Sequence, residues 1–135
     1  MKHTRFELQR LVNRVNNLNN VCEKGFIYLL TMKSQPTWYK IGKTSDLDKR
    51  LGSYKTHYPF DDVEYIKTYP CENITKSEML AVFHLSKSCE DRKRNEWFKF
   101  KNVEQLTSII EFIIDKDISV LDLFDYKMMY KESYA

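Results

Sequence analysis

The 135-residue chain has three glycines, three prolines and three cysteines. That scarcity excludes collagen-like repeats, glycine–serine linkers and proline-rich stalks. Cys22, Cys71 and Cys89 are odd in number and irregularly spaced, so they do not read as a disulfide framework. Without a Cys-x-x-Cys pair, a structural zinc site is not expected either. No apolar stretch is long enough to span a bilayer, and Ile109–Ile114 is interrupted by Glu111. The N-terminal MKHTRFELQR is polar and lacks the apolar core of a signal peptide. The expectation is an intracellular protein, not secreted, with no membrane partner. A strong excess of one charge is missing too: 22 Lys and Arg against 19 Asp and Glu leave +3, which permits nucleic acid without demanding it.

The phosphate-loop, dinucleotide, zinc-protease and serine-hydrolase signatures are all absent. Gly42-Lys43-Thr44 is the tail of a phosphate loop whose leading glycine is replaced by Thr37, so no nucleotide cofactor is expected. His3, His57 and His84 lie in different segments and make no metal-ligand spacing.

What is present is 42% hydrophobic and 14% aromatic, an ordinary composition for one globular domain. Leu8, Leu11, Val15, Leu18 and Cys22 recur at helical spacing. They predict a helix over 4–23, either packed on its own domain or forming a homodimer seam. Gly25–Met32 and Thr37–Lys43 read as a strand hairpin around Ser34-Gln35-Pro36. Thr44 or Ser45 is expected to cap a helix with Asp46 and Asp48 in its first turn. Val63–Tyr69 alternates as a strand. Thr75 and Glu78 form a capping box for the next helix, with Ile74 and Met79 as its staple. A polar basic loop from Lys87 to Arg94 precedes a strand at Glu96–Lys101. Asn102 caps a helix carrying Val103, Leu106, Ile109, Ile110, Ile113 and Ile114, and a last helix follows Asp117. The mixed order predicts an α+β fold: an N-terminal helix over 1–24, a central unit over 25–101, and C-terminal helices over 102–135 packed on it.

The hairpin and its following helix carry Gly25-Phe26-Ile27-Tyr28, Lys40-Ile41-Gly42-Lys43-Thr44 and Lys49-Arg50-Leu51, with Tyr54 one turn on and Glu96-Trp97-Phe98 later. This set resembles the GIY-YIG superfamily, most closely its phage and large-DNA-virus branch, over Gly25 to Lys101. The resemblance implies a small antiparallel sheet flanked by helices and a DNA endonuclease dependent on Mg²⁺ or Mn²⁺. It places Tyr28 beside the attacking water and Arg50 on the scissile phosphate, where a planar guanidinium fork binds two oxygens. Tyr54 matches a position often Tyr or His in relatives. Lys40 stands where the second motif has Tyr, and Tyr39 beside it faces the other side of the strand. Glu78, the only carboxylate in the body of its helix, is the candidate metal ligand, though the capping box accounts for it equally. Asn95 or Glu96 is the candidate for the residue closing the site. Lys43, Arg92, Lys93, Arg94 and Lys99 are candidate phosphate contacts. One of Trp97, Phe98 and Phe100 is a candidate for stacking a base.

Overall fold

A computed structural model describes residues 5–18, 21–94 and 96–115. The elements are α1 (Arg5–Leu18), β1 (Gly25–Met32), β2 (Gln35–Thr44), α2 (Leu47–His57), β3 (Val63–Cys71), α3 (Ile74–Ser88), β4 (Asp91–Lys93), β5 (Trp97–Lys99) and α4 (Val103–Asp115). The five strands form one sheet in the order β3-β1-β2-β5-β4. Every neighbouring pair is antiparallel. The fold is therefore α+β, with helices flanking a small antiparallel sheet.

Alternation along the strands divides the apolar residues between two faces. Ile27, Leu29, Tyr39, Ile41 and Phe98 face one side and pack with Val15, Leu80, Leu85, Leu106 and Ile110 of α1, α3 and α4. Full burial of each large side chain contributes about 1.5–3 kcal/mol. Tyr28, Leu30, Met32 and Val63 face the other side, against Leu47, Leu51, Tyr54 and Tyr58 of α2 and its C-terminal cap. Tyr39 thus points away from Tyr28, as strand alternation requires.

Two irregularities shape the second face. The register of β1 on β3 shifts between Leu29 and Leu30, so that Leu29 pairs with Lys67 and Leu30 with Tyr65. The extra residue, Ile66, is exposed, and the bulge keeps Tyr65 beside Tyr28. Strand β2 pairs with β5 only through Trp38, Tyr39 and Lys40.

Several sequence expectations are corrected. Residues 91–93, expected within a loop, form β4, a short edge strand whose three side chains are exposed. Helix α2 is capped by Asp46, whose carboxylate accepts from the Lys49 N–H, rather than by Thr44 or Ser45. Thr44 supports that turn by accepting from the Asp46 N–H. Helix α3 starts one residue before Thr75: Asn73 is its cap, accepting from the Lys76 N–H, and no Thr75–Glu78 capping box forms. Ile74, being the first helical residue, does not occupy the staple position. Asn102 accepts from the Glu104 N–H at the start of α4, as expected. Leu11, Val12 and Val15 of α1 are buried in the core of their own chain, which occupies that stretch of the expected dimer seam. The helix expected after Asp117 lies outside the described residues. No helix among the described residues is long and apolar enough to cross a membrane.

Candidate active site and nucleic-acid face

Tyr28 stands in the middle of β1, directly across from Gly42 of β2. Its ring lies over Gly42 so closely that a Cβ there would overlap the phenol. Glycine at position 42 is therefore required by the tyrosine at position 28. Gly25 has a comparable reason, since a Cβ there would stand 2.5 Å from the Thr44 carbonyl oxygen.

The Tyr28 and Tyr54 hydroxyls are hydrogen-bonded at 2.7 Å, joining β1 to α2. The rings meet edge to face, with centroids 6.0 Å apart. Tyr65, unremarked in the sequence, completes a tyrosine cluster: its centroid is 5.2 Å from that of Tyr28, and its hydroxyl donates to the Leu47 carbonyl at 2.7 Å. The alternation of Val63–Tyr69 already held the signal, because it puts Val63 and Tyr65 on one face. Burial pushes the Tyr28 phenol well above its ordinary pKa, and its bond to Tyr54 adds to this; the nearby Arg50 opposes it. Tyr54 is also raised, chiefly by burial. Both phenols are neutral at physiological pH.

Arg50, four residues before Tyr54 on α2, is exposed, and its charge reaches Tyr28, Tyr54 and Glu78. Lys40 shares the Tyr28 face. Its ammonium is 3.6 Å from the Glu96 carboxylate, with side-chain exposures of 14% and 41%. Burial lowers the Lys40 pKa, while Glu96 and Glu78 oppose the shift. Glu96 adopts φ 57°, a left-handed conformation that costs a non-glycine residue on the order of 1–3 kcal/mol. Its carbonyl accepts from the Ile41 N–H at 3.3 Å, closing the turn into β5.

Glu78 is half-buried on the second turn of α3. With the cap at Asn73, capping no longer accounts for this carboxylate. Burial raises its pKa, as does the Glu96 charge, while Lys43, Lys40 and Arg50 lower it. Tyr28, Lys40, Arg50, Tyr54 and Glu78 thus form one electrostatically connected group, which Glu96 joins. Lys43 is turned toward α3 and donates to Thr75 Oγ1 at 2.8 Å; Thr75 in turn donates to Glu23 Oε2 at 2.6 Å. That network, invisible in the sequence, engages Lys43 internally.

The expected basic run is divided. Lys93 pairs across from Trp97, and Lys99 across from Trp38, both on the Tyr28 face. Arg92 pairs with Phe98 on the opposite face, its guanidinium 5.4 Å from that ring centroid. Arg94 lies in the turn after β4, and Asn95 lies outside the described residues. Phe98 and Phe100 are buried in the core, which leaves Trp97 of the three aromatics for a ligand.

Among the described residues no group of three or more His, Cys, Asp and Glu is arranged to hold a metal ion. A Mg²⁺ or Mn²⁺ ion that keeps most of its waters needs only one or two carboxylates. Glu78, freed from capping and within electrostatic reach of Glu96, fits that demand.

The T5orf172 domain model matches residues 25–114, about two-thirds of the chain. The chain belongs to the T5orf172 domain family, which is GIY-YIG-like and nuclease-related. No curated protein and no solved structure matches the chain.

Proposed function

We propose that the protein is a divalent-metal-dependent endonuclease that hydrolyses phosphodiester bonds in DNA. The observation that carries this reading is an exposed arginine, a half-buried carboxylate and a hydrogen-bonded tyrosine pair lying within electrostatic reach of one another. Arg50 grips two oxygens of the scissile phosphate and offsets the charge that grows in the transition state. The neutral Tyr28 phenol, held by Tyr54, orients the attacking water; its raised pKa makes it a positioning donor or acceptor rather than a phenolate base. Lys40, held by Glu96, adds positive charge where the second-motif tyrosine stands in the superfamily. Glu78 holds the metal, which when bound supplies Lewis-acid charge beside the phosphate.

The test is incubation of purified protein with supercoiled, branched and single-stranded DNA in Mg²⁺ or Mn²⁺, beside Glu78→Ala and Arg50→Ala variants. Cleavage abolished by both substitutions supports the endonuclease. Salt-sensitive binding without cutting in either metal overturns it. That result favours a non-catalytic nucleic-acid-binding module, the reading to which Lys40 in the tyrosine position points.

A further inference from the structure

We propose that the half of the sheet not covered by α2 holds an unpaired nucleic-acid strand running away from Arg50, with Trp38 as its stacking platform. The proposal rests on the nucleic-acid reading above but not on cleavage. Helix α2 packs over Tyr28, Leu30, Met32 and Val63, that is, over β1 and β3. The cross-strand pairs Trp38–Lys99, Lys40–Trp97 and Lys93–Trp97 put these side chains on the same face, over β2, β5 and β4. Trp38, Trp97 and Lys99 are partly buried and Lys93 is exposed. The Lys93 ammonium lies 4.4 Å from the Trp38 ring centroid, so an ammonium is already held at an indole face. Among the described residues, the acidic groups at or near this face are Asp91, paired across from Lys99, Glu96, ion-paired with Lys40, and Glu78, whose charge reaches Lys40.

Lysines interleaved with partly accessible indoles match the two features of a single strand: a phosphate every nucleotide and bases with free π-faces. In a duplex the base faces are stacked on one another, and a flat aromatic surface has nothing to receive. The platform adjoins the Tyr28–Arg50 site through Lys40 and Trp97, the latter packing against the Tyr28 cluster. A strand on Trp38 therefore continues toward the phosphate held by Arg50, and the preferred substrate carries an unpaired segment beside the cleaved bond.

The chain has two tryptophans, Trp38 and Trp97, and both lie on this face, so intrinsic fluorescence reports on it directly. The whole chain in EDTA, where metal-dependent cutting is suppressed, is titrated with oligothymidylate and with oligouridylate of about 12 nucleotides, within the ~4–16 typical of such surfaces. A blunt duplex of equal length is the comparison. Quenching by either single strand at concentrations at least tenfold below those needed for duplex supports the proposal, and the DNA and RNA arms identify the strand preferred. Trp38→Ala is expected to weaken single-strand binding by roughly 5- to 150-fold, the loss of one stacked base, while duplex binding changes less than twofold. Trp38→Phe, which keeps a stacking face, is expected to retain most of the affinity and controls for misfolding. Equal affinity for duplex and single strand, or equal losses for both in Trp38→Ala, overturns the proposal. Binding with this preference but no cutting in Mg²⁺ sinks the endonuclease alone; cutting without the preference sinks the platform alone.

Discussion

The ring of Tyr28 occupies the space where a side chain at Gly42 would begin. The two residues face each other across the hairpin, so Gly42 is the steric complement of Tyr28. Gly42→Ala is accordingly expected to drive the phenol from its seat, at a cost of about 1–3 kcal/mol in stability, the usual range for overpacking. Cleavage should fall with it, because the hydroxyl no longer meets Tyr54. Urea unfolding with an unchanged midpoint would remove the argument.

The Tyr28–Tyr54 hydrogen bond predicts unequal effects from two similar substitutions. Each Phe replacement leaves one half-satisfied hydroxyl and is expected to cost about 0.5–1.5 kcal/mol in stability. Cleavage should separate them: Tyr28→Phe removes the group proposed to orient the water and should lose roughly 10²-fold or more. Tyr54→Phe leaves that group present but less well held, and should lose less. Equal rate losses would mean that the pair acts only as packing.

Arg50 is expected to resist conservative replacement. Arg50→Lys keeps the charge but exchanges a planar fork for a point charge. A drop in kcat of roughly 10²-fold or more is expected, with thermal stability unchanged because the residue is exposed. A fully active lysine variant would show that the position supplies charge alone.

Much of this arrangement was legible in sequence, and the reasons differ by feature. The hairpin, α3 and α4 are marked by strong periodicity, and the Tyr28, Lys40, Arg50 and Tyr54 positions by their motif. Strand β4 was not legible: Asp91-Arg92-Lys93 is a polar edge strand with no buried side chain to impose an apolar alternation. The α3 start was misread because Thr75 has a better partner in Glu23, leaving Asn73 to cap. Such a choice depends on a segment more than 50 residues away in sequence. The split of Arg92 from Lys93 and Lys99 follows strand alternation, but only once β4 is known to be a strand.

The pH dependence of cleavage should carry the signature of Glu78. Burial raises its pKa, so the proton is held to a higher pH than on an ordinary glutamate. In the proposed role, the ionised form is the one that binds the metal. Activity is therefore expected to be lost as pH falls through that raised pKa, with the acid limb at higher pH than an unshifted glutamate would give. Extra metal should move the limb downward, since ion and proton compete for one carboxylate. An acid limb at ordinary glutamate pKa, insensitive to metal, would assign the titration elsewhere.

His84 predicts a pH effect on stability that is independent of catalysis. Its imidazole is fully buried on α3 beside Phe83. Burial, with a smaller contribution from Lys87, pushes its pKa down to about 3 from 6.5. Between those values the unfolded chain takes up a proton that the folded chain does not. The histidine's contribution is thus fully present above the unfolded pKa and declines as pH falls toward the folded one, by at most about 1.4 kcal/mol per pH unit. His84→Leu removes the titrating group while filling similar space. Its cost at pH 7 reports packing alone, so the informative quantity is how the difference from wild type changes with pH. Urea unfolding at pH 7, 6 and 5 should show wild type losing stability relative to the variant at each step. A constant difference across that range would mean that the imidazole titrates in the folded protein much as it does unfolded.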